Sequence, residues 1–158
     1  MDPLRRNPPR IYSWNGQAWN ATPHLEGTVD TIQVTVGGTV WAHTTVPNSL
    51  ARWRPGETQW SQFKDGQLGL KGDQHVWSPF AIVGEEVWGI SPRGAVHYDG
   101  HRWARHTQGV VSDSPRTIAA NRNNVWILDR QGNLSHYDGN RWSLSKVQLP
   151  GKAFVEER

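Results

Sequence analysis

The residues able to do chemistry are seven histidines, ten tryptophans and fourteen acids, with no cysteine. His97, His101 and His106 fall close together, as metal ligands do, and a zinc site needs three or four convergent side chains. His97 and His101, however, straddle Tyr98-Asp99-Gly100, a turn sequence, and the counterpart of His101 in a later copy of the same phrase is Asn140. This pattern predicts a solvated turn and no metal site. Glu85-Glu86 suggests paired carboxylates, but adjacent strand residues point to opposite faces, and here both read as a turn before Val87-Trp88. The absence of cysteine excludes disulfides, thiolate nucleophiles and thiolate metal centres. No G-x-S-x-G, P-loop, H-E-x-x-H or dinucleotide fingerprint occurs either. The expectation is a chain with no catalytic activity and no cofactor.

The elements that must position any site follow from an internal repeat. Val125 to Trp142 reads V-W-I-L-D-R-Q-G-N-L-S-H-Y-D-G-N-R-W. A near copy runs from Val87-Trp88 through Tyr98-Asp99-Gly100 to Trp103, and a looser one from Val40-Trp41 through Trp53 to Trp60. The back half alone, Ile11-Tyr12-Ser13-Trp14-Asn15-Gly16 and Trp19, opens the chain. The closing tryptophans at 19, 60, 103 and 142 lie 41, 43 and 39 residues apart, a period that admits two-helix repeats or four-stranded blades. Gly, Pro, Asn or Asp interrupts each phrase every few residues, leaving no room for a three-turn helix. Val, Ile, Thr, Trp and Tyr fill the gaps, and Asp-Gly or Asn-Gly before a closing strand signals a hairpin. Each full unit therefore reads as four strands, the first at Thr31 to Val36, Pro79 to Val83 or Arg116 to Ala120. Apolar residues at both positions of Val-Trp imply a strand covered on both faces, as in a blade between two neighbours.

The runs Val36-Gly37-Gly38-Thr39-Val40-Trp41 and Val83-Gly84-Glu85-Glu86-Val87-Trp88-Gly89-Ile90 resemble tectonin-type β-propeller repeats. The Tyr-Asp-Gly-x-x-Trp endings resemble the repeats of two-component-regulator propellers. The expected fold is thus an all-β propeller of four-stranded antiparallel blades, three and a half to four per chain. Its parts are a flexible lead-in at 1–10, a half-blade at 11–23, blades at 28–64, 78–108 and 115–146, and a tail at 147–158 whose Ala153-Phe154-Val155 can supply one strand. The tectonin resemblance implies a lectin-like binder of carbohydrate or surface glycan. The alternative is a sensory or scaffolding propeller that binds protein, as the regulator resemblance implies, and a third reading is an enzyme whose site forms only between chains.

Nine tryptophans, Trp14, Trp19, Trp41, Trp53, Trp60, Trp88, Trp103, Trp126 and Trp142, recur in the repeat and are expected to pack between blades, although they could stack sugars. Trp77 is off the pattern, in the long linker from Lys64 to Ser78. In a four-stranded meander the second-to-third and fourth-to-first connections share one face of the ring. His75, Trp77, His43, Asn48, Arg93, Asp129 and Arg130 belong there, and binding residues gather where loops are long and varied. These seven are the candidate ligand-binding set.

Net charge is +3. Arg5, Arg6 and Arg10 form a basic cluster that reads as a solvated tail, not a nucleic-acid arm. The longest apolar run, Phe80 to Val83, is too short to span a membrane, and Met1 to Arg10 has no apolar stretch behind it, which predicts no signal peptide. Neither feature fixes the compartment. Two, twelve and at most one more strand leave four blades one short, and unpaired strand edges invite association. A homodimer or larger ring closing the propeller is expected.

Overall fold

The computed structural model describes residues 10–72, 74–110 and 114–146. They form fourteen strands and, among the described residues, no helix. The half-blade is a hairpin of β1 (Tyr12–Trp14) and β2 (Trp19–Ala21). The second blade orders β3 (Val29–Val34), β4 (Val40–Thr45), β5 (Asn48–Trp53) and β6 (Ser61–Lys64) as a meander. The third holds β7 (Trp77–Val83), β8 (Glu86–Ser91), β9 (Gly94–Tyr98) and β10 (Trp103–His106). The fourth holds β11 (Pro115–Asn121), β12 (Asn124–Asp129), β13 (Asn133–Tyr137) and β14 (Trp142–Lys146). All pairings are antiparallel, and the innermost strand of each full blade carries a register shift near its start.

The Asx-Gly signature becomes one turn built three times. Asp99 Oδ1 accepts the N–H groups of His101 and Arg102 at 2.9 and 2.8 Å, and Asp138 Oδ1 accepts those of Asn140 and Arg141 at 2.9 Å each. Asn15 does the same for Gln17 and Ala18. The following glycines, Gly16, Gly100 and Gly139, sit at φ of 96°, 97° and 95°, a region that side chains with a Cβ avoid. The first strand of the second blade begins and ends two residues earlier than Thr31 to Val36. The turn closes sooner, with the Gly38 N–H on Thr35 O and the Thr35 N–H on Thr39 O, so Val36 is left fully exposed.

The core lies in seams between blades. Between the second and third blades, Trp41, Leu50, Phe80, Val87 and Tyr98 pack together with Leu68, Leu70 and Val76. The last three come from the 64–77 connection, so this segment is not a free loop. Its apolar residues fill the seam, while Asp65 accepts the Val76 N–H (3.2 Å) and bonds His75 Nδ1 (2.6 Å). Between the third and fourth blades, Trp88, Ile90 and Ala95 meet Ile118, Val125 and Ile127. A third cluster, Leu25, Val40, Ala42, Trp53 and Trp60, faces Ile11 of the half-blade side. Polar ties join the inner strands: Thr31 Oγ1 to Ser78 Oγ (2.5 Å), Gln33 Nε2 to Phe80 O, and Glu85 to both Thr35 (3.0 Å) and Thr39 (3.1 Å).

The packing expectation for the tryptophans holds inside the row of blades and fails at its ends. Trp41 and Trp88 are 0% and 2% exposed. Trp126, at the same repeat position, is 41% exposed, and Trp14 and Trp19 are 54% and 67% exposed. Each of these lies at an end of the row, where no further blade stands in front of it among the described residues. The strand at Ala153-Phe154-Val155 lies outside the described residues.

Candidate functional site

The face formed by the second-to-third turns and the blade-to-blade connections holds all seven candidate residues, but they do not converge. His43 on β4 is buried, its Nδ1 bonded to Asp30 Oδ1 (2.8 Å) and its Nε2 to Val76 O (3.1 Å). It thereby ties its blade to the connection that follows. Asn48 stands at the start of β5, across the turn from Thr45, and its Oδ1 is buried without a partner among the described residues. His75 is half exposed on Asp65. Arg93 occupies the Ser91–Gly94 turn in a left-handed conformation, φ 59°.

Asp129 is buried and organises its own turn. Its Oδ1 accepts the Gln131 and Asn133 N–H groups at 2.9 and 2.7 Å, and its Oδ2 accepts the Asn133 side-chain amide. Burial opposes its charge, yet the hydrogen bonds from Asn133, Gln131 and Gly132 outweigh it and hold the carboxyl below its ordinary value. Asp129 thus acts on its neighbour, by fixing the loop that carries Arg130.

Trp77 and Arg130 do come together. Trp77 is the first residue of β7, paired with Ile90 and partly packed on the seam between the third and fourth blades. Its remaining surface lines a cleft of about 310 Å³ with Ser78, Ser114, Pro115, Arg116 and Arg130. Among the described residues, Arg116 and Arg130 border an adjoining hollow. Neither guanidinium has an acidic or hydrogen-bonding partner among the described residues. The site therefore offers one aromatic wall and two uncommitted cations, which suits a flat or apolar group beside negative charge. Arg116 is not among the seven candidates, because Arg116 to Ala120 reads as a first strand. Its signal was there: as an early residue of β11 it opens beside the second-to-third turn of its own blade.

The histidines near the 99–100 turn build packing. His97 stacks on Trp88 with centroids 3.8 Å apart and planes 8° apart, and His136 stacks on Trp126 at 3.7 Å and 12°. His97 Nε2 bonds Glu86 and His136 Nε2 bonds Asn124, the residues two places before those tryptophans. His106 lies among Trp88, Tyr137 and Trp142, where burial, then the nearby His97, push its pKa down. Among the described residues no group of three His, Asp or Glu side chains is placed to hold a metal ion, and no helix is long and apolar enough to cross a membrane.

No protein-family model and no curated protein matches the sequence. Solved structures do match in fold. A structure of YCF48 bound to D1 peptide superposes with a TM-score of 0.64 at 18% identity, covering 88% of this chain and 48% of that one. YCF48 from Cyanidioschyzon merolae gives 0.62 at 14%, covering 86% and 52%. The nidogen/laminin complex gives 0.54 at 15%, covering 80% and 51%. The chain spans about half the length of these structures, and at such identities the likeness is one of fold. Together with three four-stranded meanders and a half-blade packed in a row, it makes the chain an all-β propeller arc of about three and a half blades.

Proposed function

We propose that this chain is a non-catalytic recognition propeller whose partner is a protein, taken as an extended acidic segment across the Trp77–Arg116–Arg130 cleft. The observation that carries the reading is a pair of guanidinium groups, without a partner among the described residues, beside a half-buried tryptophan. Guanidinium forks match carboxylates bidentately, and an aromatic wall takes the apolar part of the same segment. The fold neighbours favour protein over glycan, since one was solved with a bound peptide and another in a protein–protein complex. A glycan site repeated blade by blade would need equivalent polar-aromatic pockets. Trp77 has no repeat counterpart, which favours a single irregular patch.

The test is binding to an array of acidic, neutral and basic peptides alongside a glycan array. Selective capture of acidic peptides, weakened about tenfold or more by Trp77→Ala and by Arg116→Glu with Arg130→Glu, is the expected result. Capture that the double arginine variant leaves intact, or glycan binding without peptide binding, overturns the reading.

A further inference from the structure

The two seams that join full blades follow one rule. The tryptophan of a second strand packs against the aromatic pair at the end of the next blade. Trp41 lies 5.5 Å from Tyr98 and 6.1 Å from Trp103, and Trp88 lies 5.3 Å from Tyr137 and 5.9 Å from Trp142. The rule leaves Trp126, on the outer face of the fourth blade, without a pair, and it leaves two pairs without a tryptophan. Trp53 and Trp60 are one, already buried with Leu25, Val40 and Ala42. Trp14 and Trp19 are the other, exposed on the outer face of the half-blade.

Both halves already have the geometry of the buried seams. The Trp14–Trp19 rings are 5.6 Å and 51° apart, against 5.1 Å and 41° for Tyr98–Trp103 and 5.3 Å and 36° for Tyr137–Trp142. Trp126 is held by His136 as Trp88 is by His97. Beside it, Leu128 and Leu134 stand opposite each other in register, as Ile90 and Ala95 do in the buried seam. The outer face of the fourth blade therefore continues an established interface, with the same residue classes at the same positions. The two ends of one chain do not cover each other, since all three tryptophans remain 41% to 67% exposed.

We propose that the fourth blade docks on the half-blade of a second copy of this chain, with Trp126 seated on the partner's Trp14 and the partner's Trp19. The contact is head-to-tail, so a two-fold pair contains it twice and closes. The inference does not depend on what the Trp77 cleft binds.

Light scattering of the full chain should give a particle of twice the 17.9 kDa chain mass at micromolar concentration. Trp126→Arg alone, and Trp14→Arg with Trp19→Arg, should each weaken the pair by about 100-fold or more, as removal of central interface aromatics does. Mixing the two variants should restore a pair, because it retains one intact junction. Far-UV circular dichroism checks folding, and Leu134→Glu on the same face replaces Trp126→Arg if that variant unfolds. A wild-type monomer overturns the proposal and leaves the face to another segment or partner. So does a dimer that the variants leave intact, or a mixture that stays monomeric.

Discussion

Truncating Trp88 and Trp126 to alanine separates the two environments that one repeat position creates. A large aromatic buries about 150–250 Å², which at roughly 25 cal/mol per Å² corresponds to about 4–6 kcal/mol of transfer free energy. Trp88 is 2% exposed and contacts His97, His106, Tyr137 and Trp142. Its loss leaves a closed cavity between blades, and the expected destabilisation is about 3–5 kcal/mol. Trp126 is 41% exposed and, among the described residues, its ring packs only on His136. Scaling the transfer term by buried fraction, with no closed cavity behind it, puts the cost of its truncation at about 2–3 kcal/mol in the isolated chain. Urea melts followed by fluorescence, run dilute enough to prevent pairing, measure both. A loss below about 1 kcal/mol for Trp88→Ala, or equal losses for the two variants, refutes the seam assignment. Raising the chain concentration should widen the Trp126 effect and leave the Trp88 effect unchanged, because only Trp126 gains contacts on pairing.

Two further outcomes follow from backbone and charge. Gly94→Ala would place a Cβ 2.3 Å from the carbonyl oxygen of His106, a backbone atom of the paired strand, and should cost at least about 2 kcal/mol. Gly66→Ala, which meets nothing within 4 Å, should stay within about 0.5 kcal/mol of wild type, and equal effects in melts would defeat the steric argument. Acid should act in two windows. His106 is depressed from 6.5 by burial and then by His97, so the folded state binds fewer protons, and stability falls as pH drops below 6.5 toward the lowered value. Asp99, Asp129 and Asp138 are depressed from 3.8, so their contribution is present above 3.8 and is lost as pH falls through their folded values. His106→Phe should flatten the upper window and leave the lower one; an unchanged slope below 6.5 would show that another group titrates there.

The blades were legible because their signals are local. Asp99-Gly100 and Asp138-Gly139 specify a turn from within four residues, and Val87-Trp88 and Val125-Trp126 state two-sided burial in two letters. What a repeat cannot state is its own termination. Trp88 and Trp126 read identically, and their environments diverge only because one has a blade in front of it. The long linker from Lys64 to Ser78 is the opposite case, with Leu68, Leu70 and Val76 buried in the seam. Three isolated apolar residues have no period to read, and only the width of the gap between blades explains them. The cleft was half legible for a related reason. Trp77 was conspicuous as the tryptophan off the pattern, and Arg130 as a turn residue on the chosen face. Arg116 was hidden inside a strand, where its position relative to Trp77 depends on how two blades meet. Residues that break the period mark where the fold is free to differ from blade to blade. In this chain one of them, Trp77, stands beside Arg116 and Arg130, two cations without a partner among the described residues.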